Sequence, residues 1–589
     1  MTRNAETARL LYKVGAVFRI LEGDTFRTRA YFNAATAIEN LSDPIEDLYS
    51  KNNLEGIPGV GENIRRYLIE YIKHGKVRHF ESQFKKVPAG MFPLMDIRGV
   101  GPITAYKIAK KFHLNDASSA GEKLKKILKQ GRITEIEGFK ERTESKIRKA
   151  LEVKAGGKQR LLLAEALPVA SLFLDYLKQS PLIIEAEPLG SLRRKLPTVG
   201  DIDMAICSQK PGEAMTYALE YPEIAHVITR GDKVSHVKLR SGYEADIKNS
   251  LPNQWGSLLQ HYTGSKFHNI KLRTKALGKG LSLSEYGIRK GKRLIDFSTE
   301  EDFYKFLGMT YIPPELREDH GEIEMAVDSS LPILVKESDI KGDLHIHSDF
   351  DFPSSHDIGS TTLTSILKQA DDYKYEYVGI SDHNPKYTDL SDKEKEKILT
   401  KRRDYLLREF QSYEKKVKKR TLKLLIGLEV DIRPDGKRAL SDKLLDTLDY
   451  AIVAIHSSFN LSVKDNTLRI LDALDHPKAI ILGHPTGRLL NQRDSIQADW
   501  DKIFDYCKSN NKIIEINASP SRLDLPDDLI MEAGKYGVKF IINTDSHNTS
   551  QMEFMKYGVW QARRGWAGRS QIINTLSYQK LQSVLNLEK

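Results

Sequence analysis

KGDLHIHS (341–348) is a short apolar run that ends in an H-x-H pair. In a strand, alternate residues share a face, so His345 and His347 point the same way. Six further runs repeat the design: YVGISDH (377–383), LLIGLEVD (424–431), YAIVAIHS (450–457), AIILGHP (479–485), KIIEINAS (512–519) and VKFIINTDSH (538–547). Each is rich in Ile, Val and Leu and is followed by a helical or polar segment. That is the pattern of a barrel of parallel strands with its site at the C-terminal strand ends. Six of the seven ends carry a potential metal ligand, and together they supply His345, His347, His383, Glu429, His456, His484, Asp545 and His547. Imidazole and carboxylate at one rim suit Zn²⁺, Mn²⁺ or Fe²⁺ in a multinuclear cluster. A single histidine at a strand end is more often structural, but six such ends in series reverse that reading. His476, in LDHPKA, reads as a helix end and stays outside the set.

A second acidic site lies upstream. GSLRRKLPTVGDIDMAI (190–206) ends in Asp201 and Asp203, which share a strand face, and Asp246 sits in another strand-like run, YEADIKN. Three carboxylates on neighbouring strands can hold two Mg²⁺ ions for in-line attack on a phosphate.

At 589 residues the chain exceeds one hydrophobic core, so several domains are expected. Its two cysteines, Cys207 and Cys507, imply no disulfide framework. With no apolar run of membrane-spanning length and no signal-like start, a soluble cytoplasmic protein, monomeric and without a membrane partner, is the expectation. The net charge of +11 is uneven: residues 1–160 hold 31 Lys and Arg against 19 Asp and Glu, and the remainder is close to neutral. A basic N-terminal region on a neutral body points to a polyanion.

Within that basic region three glycine turns recur, IPGVG (57–61), IRGVG (97–101) and IEGFK (136–140), each before a helix-like segment. Such turns aim backbone N–H groups at phosphate oxygens, which makes Gly59, Gly61, Gly99 and Gly101 candidate DNA-backbone contacts. Residues 165–255 alternate strand and helix. Residues 261–293 carry nine Lys and Arg with one acid, Glu285, and residues 317–340 read as an acidic connector.

From residue 1 to about 316 these motifs, in this order, resemble the family X DNA polymerases of bacterial and archaeal type. They are R-x-R-A-Y-x-N-A-A (Arg27 to Ala35), the glycine turns, G-S-x-R-R followed by G-D-x-D (Gly190 to Asp203), Y-T-G-S (Tyr262 to Ser265), Asn269, Arg273 and E-Y-G-I-R (Glu285 to Arg289). The resemblance implies a multidomain α+β and α/β chain. Its parts would be a helical DNA-binding region at 1–90, a fingers-like helix-hairpin-helix region at 91–164, a nucleotidyltransferase palm at 165–260, a thumb-like region at 261–316 and a linker at 317–340. It implies templated filling of short DNA gaps with dNTPs, on gapped or nicked DNA bearing a 5′-phosphate. Asp201, Asp203 and Asp246 would be catalytic and would bind two Mg²⁺ ions. Gly190, Ser191 and Arg194 would hold the triphosphate, Gly200 would let backbone approach closely, Tyr262 and Gly264 would sit beneath the sugar, Asn269 at the base edge and Arg273 against the template. Two departures stand out. The slot of a lyase lysine holds Tyr67, which cannot form a Schiff base, with Lys73 nearly two turns on. The aromatic pair before T-G-S reads His261-Tyr262, which bears on sugar selectivity.

Residues 341–589 resemble the PHP domain, a distorted (β/α)₇ barrel. This implies up to three Mn²⁺ or Zn²⁺ ions and a 3′–5′ exonuclease, with abasic-site or 3′-end processing. The family's S-D-G is replaced by HSDFDFPSSHDIGS (347–360), where Asp357 is the expected ninth ligand and His356 and Asp351 are alternatives. Rival readings are a template-independent nucleotidyltransferase with a phosphatase domain, and a non-catalytic DNA-binding scaffold.

Overall fold

The computed structural model describes residues 3–21, 25–39, 45–50, 54–57, 60–95, 100–136, 139, 160–386, 390–417, 422–459 and 461–587. It divides into two units, Met1–Gln159 and Arg160–Lys589.

The first unit is helical among its described residues, with Arg3–Leu21, Thr25–Glu39, Glu62–His74 and Pro102–Lys111 among its helices. Glu62–His74 shows why. Its apolar Ile64 and Leu68 lie one turn apart and are buried, Glu62 faces the positive end of the helix dipole, and Lys73 and His74 face the negative end. Gly75, at φ 68°, closes it with a bond to the Tyr71 carbonyl. Leu68→Ala would cost about 2–5 kcal/mol through the cavity left in a core that includes Phe18, Tyr31 and Phe80. The R-x-R-A-Y-x-N-A-A run is largely core: Tyr31, Ala34 and Ala35 are buried, and the Arg27 guanidinium lies 3.9 Å over Phe18.

In the second unit a five-stranded sheet is built from β1 (Glu185–Pro188), β2 (Ile202–Cys207), β3 (Ile224–Thr229), β4 (Val234–Leu239) and β5 (Glu244–Ser250), in the order β1-β2-β5-β4-β3. The β2–β5 pair is parallel and sets Asp203 directly opposite Asp246. Helices Trp255–Thr263 and Lys266–Leu277 follow, then a three-stranded meander, β6 (Leu281–Ser284), β7 (Gly287–Lys290) and β8 (Arg293–Ile295).

The barrel strands are β9 (Gly342–Ile346), β10 (Tyr377–Ile380), β11 (Lys423–Ile426), β12 (Leu428–Asp431), β13 (Ala451–Ala454), β14 (Ala479–Gly483), β15 (Ile513–Asn517) and β16 (Lys539–Asn543). All pair in parallel and nearly all their residues are buried, as strands covered on both faces require. The run LLIGLEVD is split into β11 and β12 at Gly427, where any Cβ would lie 2.5 Å from the Tyr450 ring. The ends of the series meet: the Leu344 N–H donates to Asn543 Oδ1 at 3.0 Å and the His347 N–H to the Ser546 carbonyl at 2.8 Å. Counting the split run once, seven strands close the barrel.

Residues 317–340, expected as a linker, pack closely. Arg317 is fully buried against Glu300 and the Ile312 carbonyl, and Leu334 and Val335 are core residues. Barrel residues Leu523 and Tyr557 join the core beneath the five-stranded sheet. Arg563 pairs with Glu315 at 2.8 Å, and Arg564 bonds Glu318 and the Arg194 carbonyl at 3.1 and 3.0 Å.

Candidate functional site

In the five-stranded sheet, Asp203 is half-buried, with the exposed Asp201 two residues before it. Burial and the nearby Asp201 charge raise its pKa to about 6. Asp246 is engaged from two sides: Lys248 Nζ donates to Oδ2 at 2.8 Å, and His236, directly opposite on β4, bonds Oδ1. Burial alone would raise the Asp246 carboxyl, but these two partners hold it below the usual range. Gly190, at φ 54°, lies where a Cβ would sit 2.5 Å from Asp203 Oδ2, so only glycine brings this backbone against the carboxylate. Ser191 follows it on the short helix Gly190–Arg193. Arg194 Nε meets Glu318 at 2.9 Å and its Nη1 meets the Thr263 carbonyl at 2.5 Å, with Gly264 alongside. Gly200 lies beneath Arg160. Asn269 bonds the His261 carbonyl at 2.7 Å, Arg273 lies 3.4 Å from the His261 ring, and Lys248 sits over Tyr262. The residues expected at one nucleotide site therefore do lie on adjoining elements.

In the basic unit, Gly61 and Gly101 cap their helices with nearly identical backbones, φ −76° and −74°, ψ 172° and 171°. A Cβ at either would meet nothing within 4 Å, so the protein's own packing does not require glycine there. Gly59 and Gly99 lie outside the described residues. Tyr67 stacks flat on His79, with ring centroids 5.3 Å apart.

The barrel rim gathers its ligands around Glu429. His345, His347, His383, His456 and His484 approach its carboxylate at 3.2, 3.5, 3.0, 3.1 and 2.8 Å. Four candidate ligand groups result among the described residues. One is His345, His347, Glu429 and Asp545, and a second is Glu429, His456 and His484. A third pairs His347 with His383 and His547, and Asp357 lies 3.7 Å from His383 and 3.4 Å from His547. Asp357 is 77% exposed, Asp351 joins no group, and His356 falls in another one with His383, Asp431 and His456. No equivalent group forms from Asp201, Asp203 and Asp246 among the described residues.

Buried atoms with no hydrogen bond mark the rim: His345 Nε2, His347 Nδ1, His383 Nδ1, Glu429 Oε2, His484 Nδ1 and His547 Nε2. Buried imidazoles and carboxylates whose ligand atoms lie within 4.8 Å of one another, several of them keeping an atom without a hydrogen bond, fit divalent cations. Burial would push the Glu429 carboxyl up, but His383, His345 and His456 hold it well below the usual range, so it stands ready as a ligand. His484 and Asp545 adopt φ 24° and 56°, in the left-handed region.

Two supporting residues escaped the sequence reading. Glu515, midway along β15, bonds His345 Nδ1 at 2.7 Å, and Asp431 bonds His456 Nδ1 at 2.7 Å. Each fixes its imidazole with Nε2 toward the cluster. The signals were present: an acid inside an apolar run for Glu515, and the i, i+2 spacing from Glu429 for Asp431. His476 is a capping residue that accepts from the Lys478 N–H.

Three parts of the chain match family profiles: residues 2–77 a helix-hairpin-helix domain, 258–318 the DNA polymerase beta thumb and 343–519 the PHP domain. The DNA polymerase/3′-5′ exonuclease PolX of Bacillus subtilis (strain 168) is 34% identical over 577 residues, 97% of each chain. A probable phosphatase of Clostridium acetobutylicum is 29% identical over 214 residues, 35% of this chain and 78% of that one. DNA polymerase lambda of Arabidopsis thaliana is 23% identical over 358 residues, 53% of this chain and 62% of that one. Fold and sites together define a nucleotidyl-transfer enzyme that carries a metal-dependent phosphoesterase barrel. The chain belongs to the PolX family of DNA polymerases. No helix among the described residues is long and apolar enough to cross a membrane.

Proposed function

We propose that this chain fills short gaps in DNA during repair, from a template and with dNTPs, and that its barrel removes nucleotides from 3′ ends. The reading is carried by the pairing of Asp203 with Asp246 across two parallel strands, on the same chain as a histidine cluster centred on Glu429. Asp201 and Asp203 would hold two Mg²⁺ ions between them, and Asp246 would hold one of these and accept the 3′-hydroxyl proton. Those ions supply charge neutralisation for the transferring phosphate. Ser191, the adjoining backbone and Arg194 bind the triphosphate, while Gly200, Tyr262, Gly264, Asn269 and Arg273 line the nucleotide and template. Gly59, Gly61, Gly99 and Gly101 present backbone N–H groups to gapped DNA and its 5′-phosphate. Tyr67, stacked on His79, offers no amine for lyase chemistry.

In the barrel, up to three Mn²⁺ or Zn²⁺ ions are held by His345, His347, Glu429 and Asp545, by Glu429, His456 and His484, and by Asp357, His383 and His547. When bound, they supply hydroxide near neutral pH and polarise a phosphate. The test uses one preparation: primer extension on gapped DNA with Mg²⁺ and dNTPs, then primer shortening with Mn²⁺ and no nucleotides. Extension that ignores the template strand would overturn the polymerase reading. The Clostridium relative favours a second reading of the barrel as a monoester phosphatase. Hydrolysis of p-nitrophenyl phosphate without 3′ shortening would establish it.

A further inference from the structure

The cavity above the ligand cluster has a volume of about 370 Å³, and its lining includes Phe459, Arg493 and Arg522, which belong to none of the ligand groups. Arg493 lies on the loop after β14 and Arg522 on the loop after β15. The Arg493 guanidinium lies flat on Phe459, 3.6 Å from the ring centroid, and its Nε donates to the Gly487 carbonyl at 2.8 Å. Gly487, at φ 61°, leaves room for that ring, since a Cβ there would lie 2.9 Å from Phe459 Cε1.

The two loops are locked together. Thr486 bonds the Asp524 carboxylate through its N–H and its hydroxyl, and Arg488 bonds the carbonyls of Arg522 and Leu523. Both arginines are thus placed by structure rather than by chance on the surface. Arg522 Nε is 3.8 Å from Asp545 Oδ2, at the edge of the cluster. Among the described residues no carboxylate lies within ion-pair distance of Arg493, whose Nη groups remain free to donate. Burial and the neighbouring Arg522 charge both lower its pKa. Two guanidinium groups converging on one wall, with donors to spare, match an anion with planar, bidentate acceptors.

We infer that Arg493 and Arg522 form a clamp for successive phosphates of a polynucleotide 3′ end, with Phe459 the positioning residue that holds Arg493 flat. This rests on the exonuclease reading above. Arg522, beside Asp545, meets the phosphate under attack. Arg493, clear of every cluster carboxylate, meets the next phosphate along, and its plane offers a face to a base. In the reaction served, water oxygen joins phosphorus, the P–O3′ bond breaks, O3′ takes a proton, and the nucleotide leaves as a 5′-monophosphate. A small monoester presents one phosphate and would leave Arg493 without a partner.

The experiment uses the full-length, metal-loaded protein and the variants Arg493→Ala, Arg522→Ala and Phe459→Leu, with metal content measured for each. Calorimetric titration with the dinucleotide pTpT should show binding about tenfold weaker in each arginine variant, the loss of one charge-assisted hydrogen bond. Arg493→Ala should lower shortening of an oligonucleotide about ten times more than it lowers hydrolysis of bis(p-nitrophenyl) phosphate. Phe459→Leu should reproduce part of that loss. Should an alanine variant lose metal, Arg493→Lys replaces it, since lysine keeps the charge and loses the fork. Fully metallated arginine variants that bind pTpT and shorten DNA like wild type overturn the clamp alone. Wild-type protein that binds pTpT through Arg493 yet shortens no 3′ end overturns the exonuclease reading alone.

Discussion

At the barrel rim, Glu429 stands among five imidazoles, four of which keep a buried nitrogen with no hydrogen bond. In the five-stranded sheet, Asp246 is already neutralised by Lys248 and His236, and Arg194 is already engaged by Glu318 and the Thr263 carbonyl. One centre therefore has its candidate ligand atoms already gathered. The other already engages Asp246 and Arg194, which have to exchange those partners for substrate and ions, while burial and the Asp201 charge leave the Asp203 pKa raised. The contrast teaches that ligand-rich sequence does not imply a ready site: what matters is how far the protein's own groups already complete the electrostatics.

The comparison breaks most sharply at Asp203. Asp203→Ala removes the carboxylate proposed to be shared by both ions, and gap filling should fall by about a thousandfold or more while 3′ shortening persists. Near-normal extension by this variant would end the assignment. At the rim, Glu515→Gln leaves every direct ligand in place but loosens His345, so metal affinity should drop by about 10–100-fold, read by competition with a chelator. An unchanged affinity would mean the rim does not depend on its supporting carboxylates. His347→Ala, which removes a ligand outright, should lose metal and Mn²⁺-dependent shortening together.

For the basic unit, Gly61→Ala and Gly101→Ala add a methyl that touches nothing in the protein. Affinity for gapped DNA should weaken by about tenfold with the melting temperature unchanged, because the methyl would stand where the proposed phosphate contact is made. Equal binding would remove these turns from the DNA interface.

The smallest effect concerns pH. The raised Asp203 pKa, about 6, lies above its unfolded value of 3.8, so this group favours folding at low pH and that contribution is lost as pH rises through 6. Mg²⁺ has the opposite preference, since it binds only the ionised form. Apparent Mg²⁺ affinity for extension should thus halve, about twofold, by pH 6 and be restored by more Mg²⁺. A pH-independent Mg²⁺ requirement between pH 5 and 7 would show that Asp203 is ionised throughout.

The barrel was legible because seven similar runs, each ending in a polar residue, leave few other folds, and nearly every rim ligand sits at such an end. The G-D-x-D pair was legible through strand alternation. What stayed hidden depended on contacts distant in sequence. His236 reads as an ordinary residue of β4, and only strand pairing sets it against Asp246. Glu515 and Asp431 act through imidazoles 170 and 25 residues away. Arg317, in a segment whose composition suggested a connector, is buried by a carboxylate that no local pattern announces.

Leu523 and Tyr557 sit in the core beneath the five-stranded sheet, and Arg563 and Arg564 tie the barrel to Glu315 and Glu318. Cutting between them would expose apolar surface on both sides, so neither half is disposable to the other. Whatever amount of one catalytic centre a cell synthesises or degrades, it synthesises or degrades the other in equal number. The balance between building DNA ends and trimming them then has to be governed by ion supply and by the shape of the DNA offered, since expression level cannot alter it.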